Sequence, residues 1–404
     1  MQTNSIESST ERPNAWSTRI RRPSSAWATV WVLAAAAFMM NLDARAIVPL
    51  LKSVADEFEI GVGAAGIVVT AYMIPYGVLQ LVYGPIADRV GRVAVARVAL
   101  VSFGIAAGAC GFASSLETLT VFRFLAGATA AAIFPMGLAY IGDSFDYRDR
   151  PAAISVLMTA SASGNLMSLA LGGVLAGTLG WRAMFVVSAC MTMVTAIGLF
   201  AVRTRPAPPS PGGTMVAYRE VLGSGRAMAL CGLGFVEGVV MMAGMSYYGA
   251  FLRETWLLPY EMIGGLLAAN GIGAVVMSRL LPVFASRTTE SLRFLVGMLL
   301  CALAFAVSAL VTDWWPTTLM LVLMGAAFVY AHTVLQAQST EVLPRRRGTV
   351  IAVFACLLFT GGALGTALLG WTISAAGYGP SFLGIAAGFV VLAVLGWLLL
   401  SHRA

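Results

Sequence analysis

Residues 84–92 read GPIADRVGR, and they crowd Asp88, Arg89 and Arg92 between two charge-free stretches at 62–83 and 98–116. The rest of the chain explains the contrast. Its 404 residues are 59% hydrophobic and 11% charged, with a mean hydropathy of +0.85, whereas an average soluble domain is about 25% charged. A bilayer core needs roughly 20 apolar residues per spanning helix. Runs of that length stand at 27–50, 62–84, 95–114, 118–142, 151–178, 183–202, 227–252, 261–284, 292–312, 316–340, 348–371 and 379–400. They are long and unbroken, where the strands of a membrane barrel would alternate over about ten residues. The expectation is an all-α membrane protein of twelve transmembrane helices, with the charged stretch as a loop in water between the second and third.

The positive charge is placed asymmetrically. With both termini on one side, every Lys and Arg falls in that side's loops and tails except Lys52, Arg182 and Arg253 in opposite loops and Arg45 and Arg123 within helices. By the positive-inside rule both termini are cytoplasmic, in a cell (inner) membrane. The net charge of +7 then sits beside anionic lipid headgroups and needs no nucleic-acid partner. The polar, basic residues 1–26 before the first apolar run superficially resemble a signal peptide. That run is long enough to span, and eleven more follow, so 1–26 is read as a cytoplasmic tail.

The longest inner segment, 203–226 (RTRPAPPSPGGTMVAYREVLGSGR), is rich in Pro and Gly and reads as a linker between six-helix bundles at 27–202 and 227–404. A shift of 197 residues places Gly361 on Gly164, Gly370 on Gly173, Gly377 on Gly180, Phe382 on Phe185, Pro282 on Pro85 and Arg347 on Arg150. One ungapped shift carries loop and helix positions together, as a duplicated six-helix unit would. The five cysteines, Cys110, Cys190, Cys231, Cys301 and Cys356, lie inside predicted helices without ligand spacing, so neither a disulfide framework nor a metal site is expected.

Within the opening stretch, Gly84 allows close helix approach, Pro85 is expected to end regular hydrogen bonding, and Asp88 can accept from arginines or sit at a helix N-terminus. Such a cluster can latch two rigid bundles in one conformation and release them in another. Gly84, Asp88, Arg89, Gly91 and Arg92, in the loop after the second of twelve helices, resemble motif A of the major facilitator superfamily. Arg123 and Gly127 in TVFRFLAGATAA resemble its motif B, and LGWRAMF at 179–185 is similar to a turn its drug exporters carry between helices 5 and 6. The resemblance implies the two-bundle fold of that family and secondary transport by alternating access. In its exporters, motif C of helix 5 has a Gly-Pro pair before a Gly-Gly; here SGNLMSLALGG keeps Gly164, Gly172 and Gly173 but has Ser168 and Leu169 at the pair. The second-half copy of motif A, LPVFASRTT at 281–289, lacks both the Gly and the Asp.

Ionisable residues inside spanning helices are costly unless paired or facing water, so each is a functional candidate. Asp43 and Arg123 both fall in the outer third of their helices, at a rise of about 1.5 Å per residue, and are expected to form an ion pair between helices 1 and 4. Glu237 and His332 lie in helices 7 and 10, the repeat mates of 1 and 4, and are expected to form a second couple, with Gln336 one turn below the histidine. Asp43, Glu237 and His332 are the candidate proton carriers. Arg45, nearly opposite Asp43 on its helix, either snorkels outward or binds an anion. Tyr72, Tyr76 and Gln80 on one face of helix 2, with Asn165, Tyr248, Asn270 and Gln336, complete the expected cavity beside Arg45, Glu237 and His332.

Enzyme chemistry is not supported. His332 and His402 are the two histidines and cannot form HExxH; no GxSxG occurs, and Lys52 lacks the glycines of a phosphate-binding loop. GIGAVV at 271–276 lies mid-membrane without a strand. A sensor or scaffold would need a soluble domain. The expected function is proton-coupled export of a small amphiphilic compound, and the alternative is proton-coupled uptake of a small organic anion. The expected partners are the lipid bilayer, a small-molecule substrate and protons, with no cofactor. One chain of twelve helices can carry a complete pathway, so a monomer is expected.

Overall fold

The computed structural model describes residues 25–146, 148–202 and 214–401. Most of the tail 1–26, residues 203–213 of the expected linker, and 402–404 lie outside the described residues. Among the described residues, twelve helices are long and apolar enough to cross a membrane: α1 Ala26–Glu57, α2 Val62–Val90, α3 Arg92–Gly111, α4 Leu116–Ser144, α5 Arg150–Thr178, α6 Trp181–Ala201, α7 Gly225–Trp256, α8 Tyr260–Ala285, α9 Glu290–Leu310, α10 Trp315–Glu341, α11 Pro344–Ala376 and α12 Tyr378–Ser401. A linker helix, Thr214–Gly223, precedes α7. Each span contains or overlaps its predicted run, and several overrun it. Helix α1 continues to Glu57 because Lys52, Asp56 and Glu57 leave the apolar layer while keeping helical hydrogen bonds.

One sequence expectation is corrected. Pro85 does not end α2, which contains both Pro75 and Pro85 and runs on to Val90. A proline costs a helix one donor and a local kink, and α2 absorbs this. The break comes at Gly91, with φ of 102°, a left-handed conformation that favours a residue without Cβ.

The helices form two six-helix bundles related by the duplication, and the 197-residue shift is visible in the packing. Gly180 and Gly377 are each the turn before the sixth helix of a bundle, with φ of 82° and 79°. In the first bundle a Cβ on Gly164 would meet the Phe38 carbonyl at 2.4 Å; in the second, one on Gly361 would meet the Phe235 carbonyl at 2.1 Å. Phe38 and Phe235 are themselves related by the shift. Arg150 donates to the Gly142 and Phe145 carbonyls at the end of α4, and its mate Arg347 donates to the Thr340 carbonyl at the end of α10. In a membrane, helices gain little from burying apolar surface against one another, so close backbone approach through small residues dominates their packing.

The same symmetry governs how the bundles meet. We call the side where α1 begins and the linker helix lies the linker side, and its opposite the far side. On the far side, α5 crosses α8 where a Cβ on Gly173 would meet the Tyr260 carbonyl at 2.4 Å, and α11 crosses α2 where one on Gly370 would meet the Gly63 carbonyl at 2.6 Å. These contacts are also related by the shift. The Tyr247 hydroxyl of α7 donates toward the Gly63 and Thr366 carbonyls at 3.2 and 3.1 Å. Lys52 of α1 reaches Glu254 of α7 at 3.2 Å, the one ion pair joining α1–α6 to α7–α12 among the described residues. The far side is therefore closed, backbone against backbone.

Candidate functional site

Two acid–base couples lie inside the helical layer, one in each bundle. Helix α1 presents Asp43 to α4, where Arg123 donates from Nη1 to Asp43 Oδ2 at 2.8 Å. Both side chains are 0% exposed. The guanidinium also lies over the Tyr72 ring, 4.3 Å from its centroid, and 5.5 Å from that of Phe185. Aromatic faces attract a cation, and this contact strengthens when water is excluded. Asp43 Oδ1 and Arg123 Nε and Nη2 make no hydrogen bond among the described residues. The pair therefore holds spare donors and a spare acceptor.

In the second bundle, Glu237 on α7 and His332 on α10 meet at 2.9 Å, Oε2 to Nδ1. The carboxylate is 0% exposed and the imidazole 15%. The ring stacks on Phe328, one turn earlier on α10, at 4.9 Å, and Glu237 Oε1 has no partner among the described residues. Directly after Glu237, α7 passes through a π-helical turn, Gly238–Met242. A Cβ on Gly238 would lie 2.0 Å from the Leu358 carbonyl of α11. Such turns are rare in helices and concentrate at functional positions. Apolar periodicity carries no sign of an inserted residue, so the sequence reading missed this one.

The remaining candidates separate. Arg45 keeps part of its surface accessible and lies on the stripe of α1 that carries Val48, Pro49 and Lys52 toward α7. Tyr76 meets Phe359 of α11 edge to face at 4.5 Å, across the bundle boundary. Gln80 is partly accessible and Gln336 is exposed. Tyr72 is a correction to the expected cavity: it is buried under Arg123, and its hydroxyl has no partner among the described residues. Tyr248 is another. It is 0% exposed, hydrogen-bonded to Ser308 at 2.5 Å and stacked on Phe382 inside the second bundle. Alternating helix faces place a tyrosine in a span but do not say which face turns inward. Asn270 donates to the Leu321 carbonyl at 3.1 Å and ties α8 to α10. Asn165 is partly accessible, while Asn41, which the sequence reading passed over, bonds Ser161 of α5 at 2.8 Å.

The GPIADRVGR cluster makes its ion pairs within the first bundle in this conformation. Arg92 bonds Asp88 at 2.6 Å and Asp143, at the end of α4, at 3.3 Å. Arg89 is exposed, and a Cβ on Gly84 would meet nothing. Gly164, Gly172 and Gly173 of α5 pack instead of binding: Gly164 and Gly172 let α1 approach, and Gly173 lets α8 do so.

Comparison with known proteins gives consistent matches. The sequence model of the Major Facilitator Superfamily matches residues 33–366. The chain is 26% identical over 354 residues to the uncharacterized MFS-type transporter YceJ of Bacillus subtilis, covering 85% of this chain and 88% of that one. It is 27% identical to the multidrug transporter MdfA of Escherichia coli O157:H7 over 71% of this chain and 73% of that one. The structure of a bacterial homolog of the human lysosomal transporter Spinster superimposes with a TM-score of 0.82 at 19% identity, covering 94% and 98% of the two chains.

Proposed function

The chain belongs to the Major Facilitator Superfamily, a family of transporters, and on that footing we propose that it exports a small amphiphilic compound in exchange for protons by alternating access. The observation that carries this reading is the pair of buried couples on equivalent helices of the two bundles. Each has a carboxylate oxygen, Asp43 Oδ1 or Glu237 Oε1, free to take a proton. Asp43, Glu237 and His332 are the proposed proton carriers, since protonating one member of a buried pair leaves the other without its counter-charge, which is costly and shifts helix packing. Relatives named as a multidrug transporter and as an efflux pump support export.

In this reading the linker side is cytoplasmic, as its arginine excess requires, and the protein works as a monomer in the inner membrane. The closed far side supports a cytoplasm-facing conformation in this reading. In the opposite pose Asp88 leaves Arg92 and latches the second bundle.

The test is flux in proteoliposomes under an imposed pH gradient. Export by exchange moves substrate against the proton flow, and Glu237→Gln removes the dependence on pH. Flux indifferent to the gradient in the unmodified protein would exclude proton coupling. Uptake of a small organic anion is the second reading, favoured by Arg45 and by Ser168 and Leu169 in place of Gly-Pro; there substrate and protons move together.

A further inference from the structure

Arg45 shares a stripe of α1 with the residues that meet the second bundle. Val48 and Pro49 lie against Gly249 of α7, and Lys52 pairs with Glu254 of the same helix. Residues three, four and seven apart share a helix face, so Arg45 also points toward the bundle boundary, about two turns below the closed far side. Five residues before Arg45 on α1, the Met40 sulfur meets the Tyr76 hydroxyl at 3.8 Å, and Tyr76 meets Phe359 of α11 across that boundary.

The other embedded charges have partners. Asp43 is held by Arg123 and Glu237 by His332. Arg45 makes no hydrogen bond or ion pair with any described residue, yet its side chain retains accessible surface. A guanidinium does not lose its proton at any working pH, so its charge cannot be relieved by titration. An arginine without a partner at this depth is tolerated where water or an anion can reach it. Its planar fork suits a carboxylate or a similar two-oxygen anion.

We propose that the transported compound carries an anionic group that seats on Arg45, with its apolar body against Tyr76 and Phe359. This rests on the transport reading above but is independent of the direction of flux. The seat lies just under the Lys52–Glu254 contact, so a bound anion bridges α1 to the boundary that must open.

The experiment uses the full-length protein in nanodiscs with no gradient, and three probes that share one ring system: 1-naphthoate, 1-naphthamide and 1-naphthylmethylammonium. Phenylglyoxal labelling read by mass spectrometry reports whether Arg45 is reachable and whether each probe shields it. The naphthoate is expected to protect Arg45 and to bind; Arg45→Gln weakens that binding about 10- to 100-fold, the worth of one charge-assisted hydrogen bond, and Arg45→Lys weakens it less. Binding of the amide and the ammonium is indifferent to either change. The proposal is overturned if saturating naphthoate leaves the labelling of Arg45 unchanged, if Arg45 does not react, or if Arg45→Gln binds naphthoate as the unmodified protein does. Should Arg45→Gln fail to fold, labelling of the unmodified protein and Arg45→Lys decide. An Arg45 blind to anions leaves proton-coupled export standing, and flux without proton coupling leaves the anion seat standing.

Discussion

The two couples lie on equivalent helices of the two bundles but not in equivalent places, since the 197-residue shift sets Val240 and Met320 against Asp43 and Arg123, and their chemistry differs too. Asp43 faces a permanently charged guanidinium, sealed from solvent and in contact with the Tyr72 and Phe185 rings. Glu237 faces an imidazole that can lose its charge near neutral pH, is partly accessible, and adjoins a π-helical turn. In the first couple only the carboxylate can change its proton count; in the second both members can.

The sharpest way to break this contrast is to remove one member of the first couple. Asp43→Ala or Arg123→Ala leaves an uncompensated buried charge, and thermal unfolding of the purified protein is expected to show a loss of about 3–5 kcal/mol. The combined Asp43→Asn, Arg123→Gln change recovers much of it, because neither charge is then stranded. Full additivity of the two single changes would mean that the residues do not act as a pair.

Glu237→Gln should cost less, about 1.5–3 kcal/mol for one hydrogen bond to a charged group, because the imidazole left behind can become neutral. Transport should then lose its pH response, and His332→Gln should flatten the limb of the profile that lies in the imidazole range. An unchanged profile in both variants removes the second couple from proton transfer.

Gly238→Ala tests whether the π turn distinguishes the couples. The added Cβ collides with the Leu358 carbonyl, and backbone displacement of this kind costs about 1–3 kcal/mol. Its signature is a shifted pH profile with Asp43 and Arg123 untouched.

Tyr72 separates ring from hydroxyl. Because the hydroxyl has no partner among the described residues, Tyr72→Phe should melt within about 0.5 kcal/mol of the unmodified protein. Tyr72→Leu removes the cation–π face and should cost about 1–2 kcal/mol.

The smallest effect is expected in water. Arg346 bonds Glu220 at 2.7 Å and holds its carboxyl below the usual carboxylate range. A depressed native value means that any stabilisation is present above the ordinary carboxylate range and fades as pH falls through the native one. Glu220→Gln should leave both melting and the pH profile of transport near neutrality unchanged, in contrast to Glu237→Gln.

Much of this was legible in the chain. Spanning helices follow from hydrophobic length, because backbone polar groups in lipid can be satisfied only within a helix or a closed barrel. The pairings Asp43 with Arg123 and Glu237 with His332 were expected from topology and depth, since an embedded charge demands a partner and few were on offer. The tyrosines were less readable. Tyr72, Tyr76 and Gln80 do share a face of α2, but Tyr72 sits nearest the first couple's guanidinium while Tyr76 reaches the other bundle, a difference of one helical turn. Tyr248 turned into its own bundle because Ser308 and Phe382 supply a hydrogen bond and a ring there, on helices distant in sequence.

The sequence by itself determined the number of spans, the duplication and the residue types that would carry charge into the layer, all consequences of local composition meeting a low-dielectric solvent. The tertiary structure alone decided which faces meet: the π turn beside Glu237, the sealed far side, the bridge of Arg92 to Asp88 and Asp143, and the unpartnered Arg45. Those depend on contacts between helices remote in the chain, where packing of small residues and the cost of a stranded charge select one arrangement from many that the same local pattern allows.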